Sequence, residues 1–131
     1  MAHPILLLVW VGTLVLTVAT SAVVLVFFDR LLRIQFAECR SEWERQGCPA
    51  GFFWFPRESE PSSGTHARGV LVAEWARTVP DWISVSERAS RAYALFRWSR
   101  IVALATRYIF IAEIVGFIIL GAAEGTIGGS K

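Results

Sequence analysis

The sequence predicts an all-α membrane protein: an antiparallel two-span helical hairpin with helices extended into a cytoplasmic stalk. Three observations predict it. Residues 4–28, PILLLVWVGTLVLTVATSAVVLVFF, contain no charged side chain. A second apolar stretch, residues 101–123, carries only Arg107 and Glu113. Basic residues crowd the facing ends of both stretches, with Arg30 and Arg33 after the first and Arg97 and Arg100 before the second.

As a helix, residues 4–28 run roughly 37 Å, enough to cross a hydrocarbon core of about 30 Å. A cleaved signal peptide fits poorly, because Met1-Ala2-His3 has no Lys or Arg and the run far exceeds the about 7–15 apolar residues of such a signal. The positive-inside rule then places residues 29–100 in the cytoplasm and both termini outside. Cys39 and Cys48 are accordingly expected as reduced thiols. Hydrophobic residues make up 54% of the chain, above the about 45–50% of an ordinary soluble domain, so composition agrees with a membrane location. A net charge of +2 supplies no field for nucleic acid.

After the first span, DRLLRIQFAECRSEWERQ has no Gly or Pro before Gly47 and Pro49, so the helix is expected to continue to that point. Leu32, Phe36, Cys39 and Trp43 form an apolar stripe at helical spacing, with Arg30, Glu38, Ser41 and Arg45 opposite. Such a stripe packs on its own chain or serves a partner subunit. Residues 48–69 are rich in Pro, Gly and Ser and are expected to be irregular, with RESEPSSGTHAR polar and mobile. Within them stand Phe52, Phe53, Trp54 and Phe55, the partner-contact candidates. Four consecutive aromatics cannot share one face of a helix or strand. They cover Trp43 and Trp75, dip into lipid headgroups, or enter a partner.

Residues 69–79 predict a short amphipathic helix with Leu71, Val72, Trp75 and Val79 on one face, interrupted by Pro80. Thr78 or Asp81 could cap the next helix, and Ser84 with Glu87 matches a capping box. One long helix then continues through the second span, ahead of a flexible end at Gly125, Gly128 and Gly129.

The polar residues within the spans are the candidates for chemistry. Arg107 lies near the cytoplasmic end and can snorkel to the headgroups. Glu113 sits one residue from the centre of 101–123, where an ionised side chain costs about 2.5–3.5 kcal/mol, so it should face protein or water. Aligning Phe28 with Ile101 brings Thr17 within about one residue of Glu113 in depth, in a polar stripe of Thr13, Thr17 and Ser21. Ala112 and Gly116 are small enough for close helix approach. Glu113 then either joins helices or takes part in proton or ion movement, although no second acid or His stands near it to form a relay. His3 and His66 have no ligand cluster, so neither a metal nor another cofactor is expected. No phosphate loop or nucleophile elbow is present, and enzyme activity is not expected.

Gly51, Phe52 and Phe53, residues 68–76 (RGVLVAEWA) and the Arg-bearing approach to the second span give the chain a layout that resembles the universal stress protein B family. The resemblance implies an integral membrane protein linked to stationary-phase or general stress tolerance in bacteria, with no catalytic residue to transfer. Glu113 departs from the purely apolar second span expected of that family. The expected function is helix packing, as an accessory subunit of a membrane complex or a stress-related homo-oligomer. Its partners would be membrane lipid and other membrane protein subunits or itself. The alternative is a small proton- or ion-conducting component using Glu113.

Overall fold

A computed structural model describes residues 4–127, with side chains through residue 120. Gly128, Gly129 and His3 lie outside the described residues. Among the described residues every regular element is helical: α1 (Pro4–Glu38), α2 (Arg40–Arg45), α3 (Pro61–Arg77), a 3-10 turn (Asp81–Val85) and α4 (Glu87–Ile127), with an irregular segment between α2 and α3. Two of these helices, α1 and α4, are long and apolar enough to cross a membrane. They pack antiparallel as a hairpin, and the shorter elements fold against its closed end as a head.

The expected continuous helix from the first span to Gly47 is interrupted. Cys39 leaves the helical region (φ −134°, ψ 52°), although its N–H still donates to Gln35 O at 2.8 Å. The N–H groups of Glu42 and Trp43 both donate to Cys39 O at 3.1 Å, starting α2. Packing accounts for the break, which turns Trp43 into the core. There its indole N–H donates to Pro49 O at 3.1 Å and its ring meets Phe36 edge-on at 5.0 Å. The stripe of Leu32, Phe36, Cys39 and Trp43 therefore packs on its own chain. Gly47 (φ 84°) ends this region, as a left-handed glycine commonly does.

Residues 61–68, expected to be polar and mobile, are the first two turns of α3. Pro61 occupies the first turn, where its fixed φ suits a helix and its missing N–H costs nothing. Gly64 reads as a helix breaker but is required by close packing. A Cβ there would collide with Ser59 Oγ and lie 3.1 Å from Cys48 O. Leu71 and Trp75 face inward as expected, whereas Val79 lies past the helix end and is exposed. The α4 cap is Ser86, whose Oγ accepts the Ala89 N–H at 3.0 Å. Ser84, expected in that role, instead donates to Asp81 O at 2.7 Å within the 3-10 turn.

The head core gathers Phe28, Leu31, Leu32 and Ile34 from α1 with Trp43, Leu71, Trp75, Trp82, Tyr93 and Phe96. Trp75 is fully buried at its centre, 5.1 Å from Phe28 and 5.5 Å from Trp82 between ring centroids. Tyr93 ties α4 to α3 by donating from its hydroxyl to Trp75 O at 3.0 Å.

Along the hairpin, the buried and half-buried positions include 13, 17, 20, 24, 27 and 31 on α1, flanked by 21, 25 and 28. On α4 they include 92, 96, 99, 103, 106, 110 and 113, flanked by 93, 100 and 114. Alternating steps of three and four give the 3.5-residue repeat of helices that pack side by side over a long contact.

Candidate functional site: the interhelical seam and the aromatic loop

The seam is built from small and hydroxylated residues. Thr13 Oγ1 donates to Glu113 Oε2 at 2.6 Å. The Thr20 and Thr106 hydroxyls meet at 3.0 Å, and Arg107 Nη2 donates to Ser21 Oγ at 3.2 Å. Thr17 is not the partner of Glu113. Its hydroxyl donates to Thr13 O at 2.8 Å and approaches Thr106 O at 3.4 Å. Thr13 with Glu113 and Thr20 with Thr106 place residue 28 level with residue 98, about one turn from the expected alignment with Ile101. Both helices continue beyond their apolar stretches, so packing sets the register: Phe28 rests on Phe96, with ring centroids 6.2 Å apart. Arg107 remains exposed, as snorkelling requires, but also crosses to α1.

Towards the open end, an apolar groove of about 480 Å³ lies between the two helices. Leu6, Trp10, Ile114, Phe117 and Leu120 line it, with Glu113 at its inner end. Gly116 also lines the groove, but a Cβ added there would meet nothing within 4 Å. Its smallness does not serve α1–α4 approach, contrary to the sequence expectation. That role falls to Ala103 and Ser99 on the seam.

The aromatic loop hangs on a carboxylate. Asp29, the first charged residue after the apolar run, is buried. Its Oδ1 accepts the Phe52 N–H at 2.6 Å and its Oδ2 the Phe53 N–H at 2.7 Å. Gly51 permits this arrangement, because a Cβ there would lie 2.6 to 2.8 Å from the carboxylate atoms. The Gly51 N–H donates to Trp54 O at 2.7 Å, closing a tight turn. Arg68 holds the other side, donating from Nη1 to Gly51 O at 2.7 Å while its guanidinium covers the Phe52 ring at 4.4 Å.

This turn divides the four aromatics. Phe52 packs edge-on against Phe28 at 5.7 Å, and Trp54 edge-on against Phe36 at 5.1 Å. Phe53 and Phe55 point outward and are 62% and 63% exposed. Sequence reasoning missed Asp29 and Arg68 as the residues that position the loop. The available signal was an acidic residue directly behind an apolar run whose other flanking charges are basic.

The head surface also carries ion pairs. Arg45 and Glu42 meet at 2.6 Å, and hydrogen bonding to that guanidinium holds the Glu42 carboxyl below its ordinary range. Burial, with the nearby charges of Glu38 and Glu42, pushes the Cys39 thiol up. Cys39 and Cys48 are both free thiols. No known protein family, curated protein or solved structure matches the chain, so the site is read from its own geometry.

Proposed function

We propose that the chain is a two-span protein of the bacterial inner membrane that works by helix packing, as an accessory subunit of a membrane complex or as a homo-oligomer. Its termini are outside and residues 29–100 are cytoplasmic. One observation carries the reading: the hairpin turns its hydroxyls inward and its large apolar side chains outward, with an apolar groove at its open end. That surface suits lipid and neighbouring helices, where contact is driven by packing and hydrogen bonds. The resemblance of the chain's layout to the universal stress protein B family supplies the stress-related form of this proposal. Purification in mild detergent followed by mass measurement tests it. A complex or oligomer is expected, and a strict monomer with no co-purifying protein counts against it.

The orientation has its own test. On a Cys39→Ala, Cys48→Ala background, a thiol introduced by His66→Cys should resist an impermeant reagent in intact cells and react after the membrane is opened. Labelling of sealed cells would invert the topology.

The row of polar contacts between the spans favours a second reading, a small proton- or ion-conducting component using Glu113. Flux in vesicles that is lost in Glu113→Gln would support it, and absent or unchanged flux would remove it.

A further inference from the structure

Phe53 and Phe55 are bulky, apolar and outward-facing, yet the turn they extend from is held by side-chain hydrogen bonds. Mobility does not explain their exposure. The loop is fixed by the Asp29 carboxylate on one side and by Arg68 on the other. Asp29 directly follows Phe28, where the uncharged run of α1 ends. Phe52 and Phe53 are therefore tied to the chain at the height where a bilayer surface would lie, if α1 crosses one, and Phe55 follows Trp54, which packs on Phe36 two turns further along α1. The same height on α4 is marked by residue 98, from the register of Thr13 with Glu113 and Thr20 with Thr106. That residue is Trp98, which is 67% exposed.

Charge at this level is one-sided. Arg30, Arg33 and Arg97 are exposed around the same girth, whereas the acid between them, Asp29, is buried and occupied with backbone N–H groups. Aromatic rings above an apolar belt, rimmed by arginines, match the boundary between acyl chains and anionic headgroups. An exposed soluble face would not need two phenylalanines pinned outward. We propose that Phe53 forms a fixed wedge seated in the lipid interface of the leaflet that the head faces, with Phe55 beside it on the headgroup side. In the same arrangement, the arginine girdle engages anionic phospholipid headgroups. The wedge sets the height of the head on the bilayer and adds an attachment independent of the spans. This inference rests on the two-span reading.

Photo-crosslinking separates the two. The full chain carries p-benzoylphenylalanine in place of Phe53, Phe55, Val9 or His66, one position at a time. It is reconstituted into phosphatidylcholine vesicles with and without phosphatidylglycerol, and irradiated. Phe53 and Phe55 are already surface aromatics, so the replacements keep the fold. Mass addition of one phospholipid is expected at positions 53, 55 and 9 but not at 66, with yields at 53 and 55 rising when phosphatidylglycerol is present. Adducts at position 9 without adducts at 53 and 55 would overturn the wedge and leave the two-span reading standing. No adduct at position 9 would overturn both. Yields indifferent to phosphatidylglycerol would remove the arginine girdle's part. In native membranes, protein adducts instead of lipid adducts at 53 and 55 would overturn the wedge by assigning the loop to a protein partner.

Discussion

In the head, Trp43 and Trp75 are fully buried, while Arg45, Glu87 and Arg88 stand outside. Along the hairpin the arrangement is inverted. Leu8, Val15, Ile109 and Ile118 are exposed, whereas Thr13, Thr17, Thr20 and Thr106 occupy the contact between helices. The same chain thus uses two kinds of packing, and the change falls near Phe28 and Asp29. In water, removal of apolar area from solvent holds a core together. Between helices in lipid that force is absent, leaving close van der Waals contact and modest hydrogen bonds. Substitutions on the two sides of Asp29 should therefore differ in cost by several-fold.

The largest effect is expected inside the head. Trp75→Ala removes a fully buried ring from between Phe28 and Trp82 and should cost about 3–5 kcal/mol. Leu8→Ala, on the outward face of α1, should leave stability in detergent within about 0.5 kcal/mol. Denaturant unfolding of both variants makes the contrast direct, and equal losses would erase the distinction between head and hairpin.

Next comes the junction itself. Asp29→Ala leaves the Phe52 and Phe53 N–H groups without their acceptor, at about 1–3 kcal/mol for each group that stays buried. The released loop should be cut by chymotrypsin after Phe53 or Phe55 much faster than in the native chain. Asp29→Asn keeps one acceptor oxygen and should fall between the two. A cleavage rate unchanged in Asp29→Ala would show that the carboxylate does not hold the loop.

A smaller effect is expected on the seam. A double-mutant cycle between Thr13→Val and Glu113→Leu should return a coupling of about 0.6 kcal/mol, the average for such contacts in membrane proteins. The matching cycle between Thr17→Val and Glu113→Leu should be additive, because the Thr17 hydroxyl bonds backbone carbonyls instead. Coupling found at Thr17 and not at Thr13 would restore the register that end-matching alone predicts.

The smallest effect belongs to the head surface. The Glu42 carboxyl is held below its ordinary range by Arg45, so its contribution is present above that range. It disappears as pH falls through the lowered value. Both side chains are in contact with solvent, and salt should weaken the pair further. Comparing acid titrations of melting temperature for the native chain and Glu42→Gln should show a slightly shallower acid limb in the variant. Identical limbs would mean that the pair contributes nothing measurable.

The two long helices and the Leu32 to Phe36 part of the inward stripe were legible because composition and a single period specify them, whereas the break at Cys39 that delivers Trp43 to the core was not. Pairing was harder to read. Thr13, Thr17 and Ser21 were recognisable as one polar face, but which of them meets Glu113 depends on the rise of one helix against another. The ends of apolar runs are a coarse ruler for that, while Phe28 against Phe96 is the contact that fixes it. Gly64 misled for a different reason. Local propensity makes it a breaker, and only the approach of Cys48 and Ser59 from another segment explains why a helix keeps it. Asp29 is similar, since a carboxylate's partners twenty-three and twenty-four residues away leave no trace in spacing.

The hydroxyls of α1 also bear on biogenesis. Thr17, Thr20 and Ser21 donate to the carbonyls of Thr13, Leu16 and Thr17, each four residues back, and Thr13 lies within reach of Val9 O. On the two-span reading, a newly inserted α1 can wait alone in the bilayer with its polar atoms already satisfied by its own backbone. The second helix has no such independence, because Glu113 and Arg107 reach across to Thr13 and Ser21. Synthesis from the N-terminus delivers the self-sufficient helix first and the dependent one afterwards. On the same reading, the first span would offer the second a ready set of hydroxyls as Glu113 and Arg107 enter the lipid.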